Sequence, residues 1–315
     1  MTATAPDPAD GPVPSSAVPT TGSAALGGPT SRLGWALQFG RSLGPAWRHR
    51  RVTDGVERFC LFLGYPRSGH SLVGSLLNAH PEVLIAHELD AVGYVAHHFG
   101  RRQIFGLLVE RDREFAAGGR RWMGYDYVVP GQFQGRFTEL RVIGDKRART
   151  ATYRLGRRPG LLEAVRRVAG VPLRVVHVTR NPFDNVVTMA RRTAAARHRG
   201  AGPGAPPAVA DLDDAIDRYG ELCRYVERVR ARLAPEELHE LPYESFVADP
   251  ATELARLCAF LGVEAEAGYL SDCARVVWPQ TRPTREALAW AAPQRQAVET
   301  LVATHGFLGL YGWDR

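Results

Sequence analysis

Residues 59–65 read FCLFLGY, an almost wholly apolar run that is broken at once by Pro66-Arg67-Ser68-Gly69-His70-Ser71. A run this short, with no polar residue in alternation, predicts a strand buried on both faces, the condition of a strand inside a parallel sheet. Parallel strands are joined by long crossovers, usually helical, and a helical pattern does begin at Ser71. Residues 140–146 (LRVIGDK) and 173–180 (LRVVHVTR) repeat the arrangement, and residues 239–244 (HELPYE) predict a fourth strand. Strands alternating with helices give an α/β fold: three layers, with a central mostly parallel sheet flanked by helices. Ligands of such sheets bind at the carboxyl ends of the strands.

The chain has 315 residues, enough for a sizeable core. The segment before the first strand is different in kind. Residues 1 to about 30 are dominated by Ala, Pro, Thr, Ser, Gly and Asp without periodicity, too little apolar content to offset ordering. The start MTATAPDPAD lacks the basic and apolar regions of a secretory signal. Residues 31–51 mix Trp, Leu and Phe with arginines, which suits a short amphipathic helix in weak contact with a membrane surface. A helix packed on the domain or a solvated linker fits the same residues. The predicted division is therefore a low-complexity, disordered extension over 1–52, carrying that short helix, and a folded domain over 53–315. Residues 192–210, rich in Gly, Pro, Ala and Arg, read as a mobile loop, either a lid or a surface insertion.

Four cysteines (Cys60, Cys223, Cys258, Cys273) lack metal-site spacing and are too scattered for a disulfide framework, so a cytoplasmic location is expected. No apolar run approaches the length of a membrane span. A net charge of +7 calls for a negative partner. Lys146 is the only lysine among 40 basic residues, which suggests a position where a compact, flexible ammonium is needed.

Gly64 to Ser71 has the two-glycine spacing of a phosphate-binding loop, with His70 where a nucleoside triphosphatase carries lysine. Such enzymes also hold Mg²⁺ with an Asp at the end of a downstream strand; neither feature is read here. Gly64 and Gly69 allow tight turns, the following helix offers its positive end, and Arg67 adds charge, so the loop still suits an anion. A turn kept for packing alone is the competing reading. The second segment, Arg180-Asn-Pro-Phe-Asp-Asn-Val-Val-Thr188, ends a strand in a cation and opens a helix at Asn181-Pro182. Arg180 can fork onto a phosphate, with the Thr188 hydroxyl about two turns along; alternatively, Arg180 pairs with Asp184 at the helix start.

Together the two segments resemble the PAPS-dependent sulfotransferase family, whose first loop has the form PRSGT or PKSGT and whose second motif runs Arg, seven residues, Ser or Thr. PAPS is 3′-phosphoadenosine 5′-phosphosulfate. The resemblance implies a P-loop-like fold, with Arg67, Ser68, Gly69, His70 and Ser71 on the 5′-phosphosulfate and Arg180 and Thr188 on the 3′-phosphate. His70 departs from the usual Thr, which removes a hydroxyl. Residues 76–90 (LLNAHPEVLIAHELD) resemble the branch containing tyrosylprotein and many bacterial sulfotransferases, which implies Glu88 as catalytic base, with His87 as the fallback. GDK resembles the segment that carries the family's lysine, Lys146 here. LPYESFVADP implies an adenine contact for Tyr243, and TRxxxxW at 284–290 implies a phosphate contact for Arg285.

The resemblance implies in-line transfer of a sulfuryl group from PAPS to a hydroxyl or amine, giving PAP, with no covalent intermediate and no metal. Glu88 would take the acceptor's proton while Lys146, Arg67 and the loop amides meet the charge on the leaving oxygen. The acceptor (carbohydrate, lipid, peptide or small natural product) is left open, in a pocket expected from loops such as 101–135 and 192–210. Nucleic acid is not expected as a partner, since the arginines are scattered. Two alternatives stand beside this: a Mg-ATP-dependent small-molecule kinase with a degenerate loop, and a non-catalytic polyanion or membrane-surface binding protein.

Overall fold

The computed structural model describes Pro29, residues 31–197, 209–278 and 283–314. Seven strands occur among them: β1 (Arg58–Gly64), β2 (Val83–Ala86), β3 (Arg121–Trp122), β4 (Tyr125–Asp126), β5 (Val142–Asp145), β6 (Leu173–Thr179) and β7 (Leu238–Pro242). Five form one parallel sheet in the order β2-β5-β1-β6-β7; β3 and β4 make a small antiparallel ribbon. The register sets Leu61 beside Asp145 on one side of β1 and Gly64 beside Val178 on the other. The α/β, P-loop-like expectation is met.

Burial on both faces explains why β1 reads as a continuous apolar run. Phe59, Leu61 and Leu63 pack into a cluster with the helices Arg101–Ala117 and Gly160–Ala169, whereas Cys60 and Phe62 point into a second cluster with the helices His70–Leu77 and Pro250–Leu261. A third cluster joins the helices Pro182–Arg197 and Val209–Arg230 around Phe183, Tyr219 and Cys223. All four cysteines are free and buried.

After β1 the chain crosses to β2 at the sheet edge and returns as β5, and from there it passes to the other side of β1 as β6. This reversal brings the carboxyl ends of β2, β5, β1 and β6 to one edge, the switch point at which sheets of this kind bind ligands.

Three sequence readings change. Strand β2 was not expected: residues 83–86 (VLIA) are too short a run to separate from a loop without a partner strand. Residues 101–117, expected as a variable loop, are a helix with a buried apolar side, Ile104, Phe105, Leu107 and Leu108. Residues 192–197 continue the helix from Pro182, and the next helix starts at Val209, so only residues 198–208 of the expected lid lie outside the described residues. The segment 31–51 does form a helix, Arg32–Arg48, which packs along Arg101–Ala117; residues 1–28 lie outside the described residues. No described helix is long and apolar enough to cross a membrane.

Candidate active site

The loop after β1 closes through left-handed backbone at Gly64, Arg67 and Gly69 (φ 129°, 69° and 93°). At Gly69 a side chain has no room: a Cβ there would sit 2.1 Å from the Tyr243 ring. Tyr243 thus lies flat on the loop, just past the end of β7. The helix His70–Leu77 begins immediately, and its first N–H groups have no partners within the helix, which leaves them aimed into the loop. Ser68 and His70 are buried, their side chains 3.3 Å apart, and burial with the nearby Lys146 ammonium pulls the His70 imidazole down to about 3, so it is neutral. Arg67 reaches outward to donate to the Tyr125 hydroxyl at 3.2 Å, on the β3–β4 ribbon.

Lys146 follows β5 and is 1% exposed. Its stem crosses the helix at Gly74, where a Cβ would lie 2.8 Å from the Lys146 Cγ. Its ammonium donates to Ser71 Oγ at 2.8 Å and to Glu88 Oε1 at 3.0 Å, with His87 Nε2 at 3.5 Å. One cation therefore joins the loop after β1 to the turn after β2. Burial lowers the Lys146 pKa, and the Glu88 carboxylate opposes that only in part. For Glu88, burial pushes upward, but the Lys146 charge and hydrogen bond outweigh it and hold the carboxyl below its ordinary range. His87 is driven far down by burial and by Lys146, and its ring stacks on Phe115 at 4.0 Å. Of the two neighbours His87 is therefore a neutral, stacked imidazole and Glu88 an ionised carboxylate.

Glu88 itself has φ 60°, an uncommon conformation for its residue type, and its surroundings fix it there. The Asp145 carboxylate accepts from the N–H groups of Leu89, Asp90 and Ala91 at 3.1, 2.8 and 2.7 Å. Arg147 donates to the Glu88 carbonyl, Arg111 to that of His87, and Arg154 pairs with Asp90 at 2.6 Å. Asp145 corrects one sequence reading, since a strand beside β1 does end in Asp. Its oxygens are spent on backbone N–H groups of the Glu88 turn, however, which is not the arrangement of a metal-holding carboxylate. The GDK motif carried this signal beside its lysine.

The second segment meets the first directly: Arg180 Nη1 donates to the Arg67 carbonyl at 3.3 Å, and Asn185 Nδ2 to that of Pro66 at 2.8 Å. The proposed pairing of Arg180 with Asp184 does not occur. Asp184 instead takes Arg285, Nη1 to Oδ2 at 2.7 Å, together with the Arg285 N–H at 2.8 Å. Among the described residues, Arg180 Nε is buried without a partner, and so is Arg285 Nε. Thr188 Oγ1 bonds back to the Asp184 carbonyl and lies 3.4 Å from Thr284 Oγ1, which brings Thr188 and Arg285 to one place. The guanidinium of Arg180 stands 6.0 Å from the Tyr243 ring, whose hydroxyl burial shifts upward.

Sequence reading does not single out Phe115, Trp122 and Tyr127, whose rings gather around His87, or Tyr125, which meets Arg67. Trp122 and Tyr127 stand 5.2 and 6.2 Å from His87. Their signal was a two-residue hairpin, Met123-Gly124, both with positive φ, between aromatic residues in alternation.

The sequence matches the model of the sulfotransferase family over residues 61–267. No curated protein matches it. Among solved structures it resembles the sulfotransferase domain from the curacin biosynthetic pathway (14% identity, 82% of this chain and 99% of that one, TM-score 0.50). It likewise resembles sulfotransferase STF9 from Mycobacterium avium (15% identity, 88% and 83%, TM-score 0.50). These likenesses are of fold alone; the family match, which spans more than half of the chain, shows that it belongs to the sulfotransferase family.

Proposed function

We propose that the protein moves a sulfuryl group from PAPS to a hydroxyl or amine of an acceptor and releases PAP. The observation that carries this reading is the position of Lys146, whose buried ammonium touches the anion loop at Ser71 and the candidate base Glu88 at once. The unpartnered Nε atoms of Arg180 and Arg285 and the close-packed loop at Gly69 suit the donor's phosphates.

In this reading Arg67, Ser68, Gly69, His70 and Ser71 hold the 5′ side, the His70 contact coming from its backbone N–H. Arg180 and Thr188 hold the 3′-phosphate, with Arg285 beside them, and Tyr243 borders the adenine. PAPS supplies a sulfur already bonded to a good leaving oxygen. Glu88, ionised at neutral pH, accepts the acceptor's proton as the acceptor oxygen or nitrogen bonds to sulfur. Lys146 and Arg67 neutralise the charge that builds on the phosphate oxygen as its bond to sulfur breaks. The acceptor side is walled by Phe115, Trp122 and Tyr127.

Thermal-shift titration with PAP, PAPS and Mg-ATP tests the donor. Stabilisation by PAP and PAPS well beyond that by Mg-ATP is expected; preference for Mg-ATP overturns the reading in favour of a kinase.

A further inference from the structure

The Arg32–Arg48 helix has two apolar sides, and only one is covered. Trp35 stacks on His97 at 3.7 Å, Gln103 donates to Ser42 Oγ at 2.8 Å, and Pro45 packs over Gly106, where a Cβ would meet the Pro45 backbone at 2.7 Å. These contacts dock the helix on Arg101–Ala117. Phe39, partly exposed, meets the Phe99 ring edge-on at 5.1 Å, while the opposite side carries Leu33, Leu37, Leu43 and Trp47, which are 70%, 54%, 54% and 68% exposed. At about 100° per residue these four side chains share an arc of roughly 120°. A patch of leucines and a tryptophan gathered on one element is not the scatter of single apolar residues that folded surfaces tolerate.

Charge identifies the partner. Arg41 and Arg48 border one edge of the arc and Arg32 the other, Arg50 and Arg51 follow, and no Asp or Glu occurs between Ser31 and Thr53. A second copy of the chain would set these cations against their own equivalents, which opposes a self-complementary dimer. Leu and Trp on one face, bordered by arginines of which Arg48 is held by Glu110 on the neighbouring helix, is the composition of a helix lying in the headgroup layer of an anionic bilayer. We propose that this outer face lies on an anionic membrane surface, with the helix parallel to it and the domain held by the inner face.

The placement bears on the catalytic site. Arg48 pairs with Glu110 at 2.6 Å, and the next residue, Arg111, holds the His87 carbonyl at 2.9 Å beside Glu88. One helix thus carries both the membrane-facing element and a support of the candidate base. The proposal does not depend on the donor or on the reaction.

Co-sedimentation of the full chain with vesicles of phosphatidylcholine alone, or with phosphatidylglycerol added, tests it. Binding to the mixed vesicles is expected, weak on the neutral ones and weakened by salt. Leu37→Gln/Leu43→Gln should reduce binding roughly tenfold or more with the melting temperature unchanged, because both side chains already face solvent. Should that variant melt early, Arg32→Gln/Arg41→Gln keeps the test, and should abolish the preference for the anionic vesicles. Equal pelleting of wild type and variants, or none by wild type, overturns the proposal. So does a dimer by light scattering that Leu37→Gln/Leu43→Gln dissolves, since the face would then join copies of the chain; binding only to a protein partner overturns it equally.

Discussion

Lys146 Nζ and Glu88 Oε1 lie 3.0 Å apart, the lysine buried and the glutamate partly exposed. A buried cation held this way is costly to leave unpaired, and it also keeps its neighbour ionised. The proposed chemistry uses both properties, so the pair is where substitution is most informative.

Glu88→Gln keeps the shape and removes the carboxylate proposed as base. Turnover should fall about 10²–10⁴-fold while PAP binding, read by calorimetry, stays nearly intact. Lys146→Ala should reduce both, with PAP affinity down roughly tenfold to hundredfold, since a charge-assisted contact is lost. Full activity in Glu88→Gln would remove it as the base.

The pH dependence follows from the same pair. The Glu88 pKa lies below its ordinary 4.5, so its contribution to stability is fully present above that value and is lost as pH falls through the folded value. The acid limb of kcat should accordingly lie below the ordinary carboxylate range. The Lys146 pKa lies below 10.5, so between its folded value and 10.5 the native state binds fewer protons than the unfolded chain, and this group's contribution makes stability rise with pH there. Activity should nonetheless fall on that alkaline side, as the ammonium is lost. A kcat–pH profile of wild type against Glu88→Gln checks both limbs.

Arg180→Ala tests the 3′-phosphate assignment. Wild type should bind PAP more tightly than AMP, which lacks that phosphate, and the variant should lose roughly tenfold to hundredfold for PAP with little change for AMP. Parallel losses for both ligands would move Arg180 away from the 3′ position.

Gly69→Ala should abolish PAP binding, because the added methyl meets the Tyr243 ring at 2.1 Å on a backbone of φ 93°. Tyr243→Phe, which keeps the ring against the loop, should retain affinity within a few-fold. Circular dichroism melts accompany both, so that loss of binding is separated from unfolding.

Asp145→Asn tests positioning. Burial raises the Asp145 pKa to about 6 against three N–H donors. The folded pKa thus exceeds the ordinary 3.8, and this group's contribution to stability is present below 3.8 and lost as pH rises through about 6. The variant should flatten that dependence in pH-resolved melts and lower kcat more than PAP affinity, because the Glu88 turn loses a carboxylate acceptor.

Much of this was legible in the sequence where a single segment carried the signal. The run 59–65 announced a strand buried on both sides, and the glycine loop, Arg180 and the sole lysine marked the residues that the sheet then gathers at one edge. What stayed hidden depends on partners far along the chain. Strand β2 is four residues long and exists because β5 pairs with it. Asp184 was read with its near neighbour Arg180, yet it pairs with Arg285, a hundred and one residues on. Asp145 looked like part of a lysine motif, and only the fold turns it toward the N–H groups of residues 89–91. Trp122 and Tyr127 needed the β3–β4 ribbon to bring them to His87 beside Phe115 of the helix Arg101–Ala117. The exposed face of the Arg32–Arg48 helix could be judged only once its inner face had a covering.

The central claim is tested most directly by incubating the protein with sulfur-labelled PAPS and a cell extract, alongside Glu88→Gln and Lys146→Ala. The account predicts a labelled product and stoichiometric PAP from wild type, and little of either from the two variants. Label transferred equally well by Glu88→Gln and Lys146→Ala, or no transfer by wild type together with no affinity for PAP, would contradict it.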